Sequence, residues 1–190
     1  MNGWLHQRIA GASWAGFAIW FVILMAFSTW AFSMDSPWTR ALEAAGGVLP
    51  ETKPGIPAIE PVRSLQAMGA ERGDYLLWQA LDVPYALMNF FVIVNAIGLG
   101  LKALRLDQSF LRFLVLLPTI YVGAELVENA FLTAFAAELI ATNEPLVLTQ
   151  QFATTMKFGS GMPGLALGFA SLIAAFVVAA LRFFKRKPSG

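Results

Sequence analysis

The chain has 190 residues, of which 57% are hydrophobic and 13% are charged, with a mean hydropathy of +0.63 and a formal net charge of +1. This composition is typical of an integral membrane protein, and the small net charge gives no electrostatic basis for binding nucleic acid. Cysteine is absent and the single histidine, His6, precedes the first apolar run. Disulfides, thiolate catalysis and cysteine- or histidine-ligated metal or haem sites inside the membrane are therefore not expected.

Four apolar runs are long enough to cross a bilayer, which takes about 20 residues of helix. They cover residues 13–33, 75–102, 111–138 and 146–182. We therefore predict an all-α fold, a polytopic membrane four-helix bundle that forms one membrane domain over residues 1–190. A partly helical outer loop, residues 34–74, connects the first two spans, and residues 183–190 form a cytoplasmic tail.

The first run contains no charged residue and is rich in aromatic side chains. Arg8 before it and Ala31-Phe32-Ser33 at its end resemble a signal peptide with a cleavage site, but the apolar stretch is longer than a typical signal and favours a retained span. Its aromatic exterior suits contact with lipid or with another membrane protein. These aromatic residues are Trp14, Phe17, Trp20, Phe21, Phe27 and Trp30.

The outer loop is predicted to contain two short helices separated by a proline-rich connector. Ser36-Pro37 provides a cap and a first-turn proline, and Gly46-Gly47 ends the first helix. Four prolines should keep the chain extended until a second helix at Val62–Met68. Two interpretations stay open: a lid on the outer surface, or a connector anchored by Trp38. The four prolines are Pro50, Pro54, Pro57 and Pro61.

Basic residues predict the orientation, because Lys and Arg are retained on the cytoplasmic side. They precede the first span, flank the turn between the second and third spans, and follow the fourth. We therefore expect both termini in the cytoplasm and the loop 34–74 and the link 138–145 outside, in a bacterial inner membrane. The basic residues are Arg8, Lys102, Arg105, Arg112, Arg182, Lys185, Arg186 and Lys187.

Four ionisable side chains lie inside the predicted spans: Asp82, Glu125, Glu128 and Lys157. A charge at this depth costs at least about 2.5 kcal/mol, so such residues rarely occur without a partner or a function. With a rise of 1.5 Å per residue, the charges of the three spans lie roughly 10–15 Å below the outer ends. We expect them to form one polar centre.

Helical spacing places further polar residues on the same faces as these charges, because residues three, four and seven apart share a face. On the fourth span the polar face continues as a row of glycines, which mark close approach between membrane helices. Each of the three spans also carries a proline that could kink it. The faces are Trp78, Asp82, Tyr85 and Asn89; Tyr121, Glu125, Glu128 and Asn129; and Gln150, Thr154, Lys157, Gly161, Gly164 and Gly168. The prolines are Pro84, Pro118 and Pro163.

If all three acids were ionised, Lys157 would neutralise only one of them, and two negative charges would remain. Protonated carboxyls, a bound cation or a water-filled pocket would relieve this. Our hypothesis is an ion pair of Lys157 with Glu128 or Asp82 and a protonated Glu125, with hydrogen bonds from Asn129, Tyr85 and Thr154. The alternative is a network that only fixes helix register.

Several stretches resemble a widespread group of bacterial four-span membrane proteins. They are Gly73-Asp74-Tyr75, Leu81-Asp82-Val83-Pro84-Tyr85, Leu117-Pro118, Glu125-Leu-Val-Glu128-Asn129 and Phe152-Ala-Thr154-Thr155-Met156-Lys157. The resemblance covers about residues 62–180 and departs at Glu125, where Asp is more usual, and at Phe158, where Trp is expected. It implies a common fold and a shared polar centre and brings no activity with it. The architecture is also distantly similar to that of sterol-isomerase-like membrane proteins. This chain lacks the intramembrane histidine that is expected of the sterol isomerases.

These observations favour a structural, accessory or lipid- or pigment-binding subunit whose partners are membrane lipids and a larger membrane complex, without nucleic acid. One alternative is an intramembrane enzyme in which Glu125 and Glu128 act as acid and base on an isoprenoid, carotenoid or quinone-like substrate. Another is proton or cation transport. No metal site or cofactor is evident, and a bound lipid or pigment would fit the polar centre.

Overall fold

The computed structural model describes residues 2–52, 55, 57 and 59–185. Predictions that fall on Lys53, Pro54 and residues 186–190 lie outside the described residues. The described part is all-α, as predicted, and contains no strand. Two 3₁₀ segments, Gly69–Glu71 and Phe110–Val115, precede the fifth and sixth helices. The α-helices are α1 (Asn2–Gly11), α2 (Trp14–Ala31), α3 (Pro37–Ala44), α4 (Ile59–Ala67), α5 (Arg72–Ala103), α6 (Leu116–Ala136) and α7 (Glu144–Lys185).

Four helical segments have the length and hydropathy to cross a membrane, which confirms the predicted class of helical membrane protein. They are Trp14–Ala31, Gly69–Ala103, Phe110–Ala136 and Glu144–Phe184. Helices α5, α6 and α7 pack against one another, whereas α2 packs chiefly against α5. Leu24 of α2 meets Met88 and Val92 of α5, and Trp20 stacks on Phe91 at a centroid distance of 4.5 Å.

Helix α1 is an element that the sequence analysis did not predict. Leu5 and Ile9, one helical turn apart, are fully buried against Ile97 of α5 and Val115 before α6. Trp4 packs, partly buried, against the same cluster, and three apolar positions within a ten-residue helix give a periodicity too short to stand out. Ser13 then caps α2 by accepting the Gly16 N–H. The short helix therefore covers the end of the bundle at which α5 turns into α6, which we call the turn end.

The loop between α2 and α5 contains both short helices, with one difference from the prediction. Helix α3 begins after the Ser36 cap and ends before Gly46 and Gly47, whose φ angles of 75° and 88° suit glycine. Helix α4 begins at Ile59, earlier than predicted. Pro61 was wrongly expected to delay it, because in the first turn of a helix the missing N–H has no internal partner.

The described residues of segment 32–71, which we call the loop cap, fold onto the opposite end of the bundle, the loop end. Apolar side chains of the loop cap pack against Tyr75 of α5, Leu132 of α6 and Val147 of α7 in one buried cluster. Arg40 donates to both carboxylate oxygens of Asp74, at 2.7 and 2.5 Å, and Arg72 pairs with Glu138. This extensive burial favours the lid interpretation over that of a plain connector.

The three prolines of the spans occupy different positions. Pro84 and Pro163 lie inside α5 and α7. Pro118 lies in the first turn of α6, where an α-helix needs no internal N–H donor, so this proline interrupts no hydrogen bond within α6.

Glycines allow the close approach of α5 and α7. A Cβ atom added at Gly100 would lie 2.5 Å from Ser171 Cβ and 2.7 Å from its backbone, so the two helices touch there. At Gly161, a Cβ would lie 2.9 Å from the Tyr121 ring, and at Gly164 and Gly168 it would make ordinary contacts with α6 and α5. The glycine row of α7 therefore faces its neighbours, as small residues do between membrane helices.

Gly100→Ala should destabilise the protein by about 1–3 kcal/mol, because the added methyl group forces α5 and α7 apart. The thermal unfolding midpoint in detergent measures this effect. Gly123→Ala of α6 is the matched control, since a Cβ there meets no atom within 4 Å. Equal midpoints for the two variants would contradict the close helix contact.

Candidate functional site

Polar side chains from three helices meet beneath the loop cap. The structure brings together Asp82 of α5, the acids and amide of α6 and the polar face of α7, and all of them are buried. The set of buried polar residues on α6 and α7 is Glu125, Glu128, Asn129, Gln150, Thr154 and Lys157. They point into the protein interior and share one level, as the depth argument predicted.

Lys157 is the centre of this network. Its Nζ donates to Glu128 Oε2 and, at 3.3 Å, to Glu125 Oε1. Glu128 is fully buried, and its Oε1 accepts hydrogen bonds from the Thr154 hydroxyl and, at 3.2 Å, from Gln150 Nε2. Of the two partners predicted for Lys157, Glu128 and Asp82, the structure selects Glu128. We call Lys157, Glu128, Thr154 and Gln150 the anchor half of the polar centre.

Asp82 and Glu125 form the second half of the centre. Asn129 Nδ2 donates to Asp82 Oδ2 at 3.2 Å, so α5 and α6 are joined here. The Asp82 and Glu125 carboxyl groups are close enough to interact directly. Two adjacent carboxyls can share one proton, an arrangement suited to acid–base chemistry.

Among the described residues, the side chains of Tyr85, Asn89 and Tyr121 form no hydrogen bond with the charged groups of the centre. The Tyr85 hydroxyl, expected to hydrogen-bond within the network, makes no hydrogen bond to any described residue. Asn89 Nδ2 donates to the Tyr85 carbonyl at 2.9 Å and so bonds to its own helix. Tyr85, Asn89 and Tyr121 instead line a cavity. The helical periodicity placed these residues on the right face, but it cannot decide whether a side chain reaches a partner.

Glu51 is a site residue that the sequence analysis missed. It lies in the loop cap, is buried, and accepts hydrogen bonds from the Tyr75 hydroxyl at 2.8 Å and from Gln79 Nε2 at 3.2 Å. Burial raises its pKa to about 7, against the opposing attraction of Lys157, while Glu128 adds a small repulsion. Glu51 lies outside the predicted spans, and no local pattern marks it as an acid that a loop places over the bundle.

A cavity of about 280 Å³ opens beside the polar centre. Asp82, Glu125, Lys157 and Glu51 lie on its wall, whereas Glu128 does not. Six aromatic side chains complete the wall, and the ring of Phe32 lies among three of the others, whose centroids are 5.1–5.8 Å from its own. The six are Phe32, Trp38, Trp78, Tyr85, Tyr121 and Phe158. Toward the turn end the wall becomes apolar, at Ile93, Met162 and Leu165.

An apolar groove lies next to this cavity. It runs between α2 and α7 with α5 as its floor, and it shares Ile93 and Leu165 with the cavity wall. Its other lining residues are Phe17, Phe21, Val92, Ala96, Gly168, Phe169 and Leu172. A Cβ at Gly168 would lie 3.5 Å from Ile93 Cγ2, so the absent side chain keeps this part of the groove open. The groove faces the lipid side of α2 and α7, where Phe169 is 58% exposed.

Among the described residues, the site has more acids than cations and more buried hydrogen-bond acceptors than donors that reach them. With Glu51 included, four acids surround one lysine, and full ionisation would leave three uncompensated negative charges. Three buried amide oxygens have no hydrogen-bond partner among the described residues: Gln79 Oε1, Asn129 Oδ1 and Gln150 Oε1. Protonated carboxyls or hydroxyl groups of water or a ligand are the donors that such oxygens need. In the same part of the chain, no group of three or more His, Cys, Asp or Glu side chains is placed to hold a metal ion.

No protein-family model, curated protein or solved structure matches this chain. The resemblance to bacterial four-span membrane proteins therefore stays a prediction, and the function is argued from the site alone.

Lys157→Met should destabilise the protein by about 3–5 kcal/mol, because it leaves Glu128 buried without its cationic partner. Thermal unfolding in detergent measures the loss. Adding Glu128→Gln to Lys157→Met should recover a large part of it, since the uncompensated charge is then removed. Arg63→Met is the control: it breaks the exposed Arg63–Glu60 pair, which is expected to contribute less than 1 kcal/mol. A double variant no more stable than Lys157→Met would contradict the pairing.

The loop cap should loosen as the pH rises through 7. The pKa of Glu51 in the docked loop, about 7, lies above its ordinary value of 4.5, so the docked state holds more protons and is most stable at low pH. Between pH 6 and pH 8 the free energy that favours the docked loop should fall by roughly 1.4 kcal/mol, which increases the equilibrium constant for opening about tenfold. Hydrogen exchange of residues 46–52, corrected for intrinsic rates, measures the opening. Glu51→Gln should abolish the pH dependence; an unchanged dependence would assign it to another group.

Proposed function

We propose that this protein binds an amphiphilic, lipid-derived molecule, a lipid or a pigment, within the membrane. The observation that carries the proposal is that a cavity walled by carboxyls and aromatic rings lies next to a groove lined only by apolar residues, with Ile93 and Leu165 on the walls of both. A ligand with a small polar end and a long apolar part matches this sequence of surfaces. A network that only fixed helix register would need neither the cavity nor the groove.

The polar end of the ligand would lie against Asp82, Glu125 and Lys157. These groups offer both hydrogen-bond acceptors and a donor, so they suit a hydroxyl, carbonyl or amine head group. The surrounding aromatic rings provide apolar contact and the faces that attract polarised or cationic groups. Such a mixture of a few polar groups in an otherwise apolar wall is the usual form of a small-molecule site.

The apolar part of the ligand would lie along the groove. From Asp82 to Ile93 the α5 axis advances roughly 16 Å, so cavity and groove together extend well into the apolar part of the bundle. The cavity of about 280 Å³ is too small for a whole lipid with two acyl chains. It therefore suits the head of a single-chain or isoprenoid molecule whose tail leaves through the groove.

We base the proposed location and partners on the distribution of basic and exposed apolar residues. We place the turn end, with its basic residues, on the cytoplasmic side and the loop cap outside, in a bacterial inner membrane. Ile19, Val22 and Met25 of α2 are exposed and suit either lipid or a neighbouring membrane protein. An accessory role in a larger membrane complex is thus compatible with the fold and stays a prediction.

Acid–base catalysis on such a ligand is the second candidate function. It is favoured by the presence of both Asp82 and Glu125 on the cavity wall, where one carboxyl can donate and the other accept a proton. The pair differs from the predicted pair of Glu125 and Glu128, because Glu128 is sealed behind Lys157. Transport is less supported, since Ile97, Leu101 and Val115 fill the bundle between the centre and the turn end.

Gly168→Phe should abolish ligand retention, because the ring fills the groove. Native mass spectrometry of the gently solubilised protein measures the fraction that carries a bound small molecule. Gly159→Phe on the same helix is the matched control, since Gly159 is exposed and a Cβ there meets no atom within 4 Å. Gly168→Ala, which fits the available space, should keep the ligand if the larger variant fails to fold.

Two results would contradict the proposed function. One is a wild-type protein that retains no small molecule after gentle solubilisation. The other is equal retention by Gly168→Phe and Gly159→Phe. The double variant Asp82→Asn with Glu125→Gln tests the second candidate: product formation should stop while binding persists, provided that the retained ligand is a substrate.

A further inference from the structure

A second cavity lies at the turn end of the bundle, far from the polar centre. It has a volume of about 310 Å³ and lies where the start of α2 meets the ends of α5 and α7. Two basic side chains, Lys102 and Arg182, line it together with Trp14. The remaining wall is apolar and consists of Leu99, Ala103, Ala175, Val178 and Ala179.

The two cations are held in place by neutral acceptors. Lys102 Nζ donates to the carbonyls of Ala10 and Ala12, at 3.2 and 2.8 Å. Arg182 Nη2 donates to the Ala103 carbonyl, at 3.3 Å, at the end of α5. These bonds position both groups at the cavity but cancel neither charge. Each group also keeps N–H donors that these bonds do not use.

Ion pairing differs between the two ends of the bundle. At the loop end, each described arginine has an acidic partner: Arg40 with Asp74, Arg63 with Glu60 and Arg72 with Glu138. At the turn end, no described basic side chain forms an ion pair with an acid of the chain. These side chains are Arg8, Lys102, Arg105, Arg112 and Arg182. Uncompensated positive charge is therefore concentrated where an external anion could reach it.

The surroundings of the cavity indicate what kind of anion. Trp14, 45% exposed, is an amphipathic ring of the kind that lies at the level of lipid head groups. The cavity lies between the ends of membrane-spanning helices, and its wall combines two cations with alkyl side chains. A basic pocket between helix ends at the membrane surface is the usual form of a site for a phospholipid head group. The apolar wall suits the first carbons of the acyl chains.

We propose that this cavity is a specific site for an anionic phospholipid, with the phosphate bound between Lys102 and Arg182. The site is independent of the proposed ligand cavity, because no residue lines both. It also differs from general attraction of basic residues to an anionic surface. General attraction depends on charge alone, whereas a cavity site also requires open volume at Ala179.

The test is native mass spectrometry of delipidated protein titrated with phosphatidylglycerol or with phosphatidylcholine of the same acyl chains. The wild type should bind phosphatidylglycerol more tightly. Lys102→Gln and Arg182→Gln should each weaken phosphatidylglycerol binding about fivefold, while Arg63→Gln, which removes one charge at the loop end, should leave it unchanged. The thermal midpoint of each variant shows that it is folded.

Steric variants separate the site from general attraction. Ala179→Phe keeps both charges but fills the cavity, so it should reduce phosphatidylglycerol binding at least tenfold. Val177→Phe is the matched control, because Val177 is exposed on the same helix and does not line the cavity. Equal binding by these two variants would overturn the proposal, as would equal binding of the two lipids by the wild type. Should Lys102→Gln fail to fold, Arg182→Gln and the steric pair still decide.

Discussion

The fold depends on the buried ion pair between Lys157 of α7 and Glu128 of α6. Neither charge can be left alone at this depth in the membrane, so the two helices must bring them together in one register. Thr154 and Gln150 donate hydrogen bonds to the other carboxylate oxygen of Glu128, so both oxygens have partners. A slide or rotation of α7 against α6 would break these bonds. The ion pair therefore fixes the register of the two helices as well as stabilising their contact.

The row of glycines on α7 makes the ion pair geometrically feasible. Gly161 matters most, because a Cβ there would lie 2.9 Å from the Tyr121 ring and would keep α7 away from α6, whereas a Cβ at Gly164 or Gly168 would make ordinary contacts. The same absence of side chains opens the groove beside Gly168. One feature of the sequence therefore has two consequences: close packing on the side of the polar centre and an opening toward α2. A cavity between tightly packed helices thus needs no separate structural explanation.

The sequence predicted the parts of the structure that depend on local pattern. Length and hydropathy predicted the four spans, and helical periodicity predicted that Asp82, Glu125 and Lys157 face one interior. The missed parts depend on tertiary contact. Glu51 lies in an irregular loop, where no periodicity says which side chain is buried. The choice of Glu128 over Asp82 as the partner of Lys157 rests on distances of a few ångströms, which helical angles do not resolve.

The position of Glu51 links the loop cap to the chemistry of the site. Tyr75 and Gln79 of α5 hold its carboxyl at the loop end of the cavity, so docking of the loop adds a fourth acid to the three that the helices provide. Because that carboxyl has a pKa of about 7, docking is coupled to protonation near neutral pH. A ligand that donates a hydrogen bond or carries a positive charge would favour the docked loop in the same way as a proton. Closure of the cap and occupation of the cavity would then stabilise each other, since both supply what the buried acids lack.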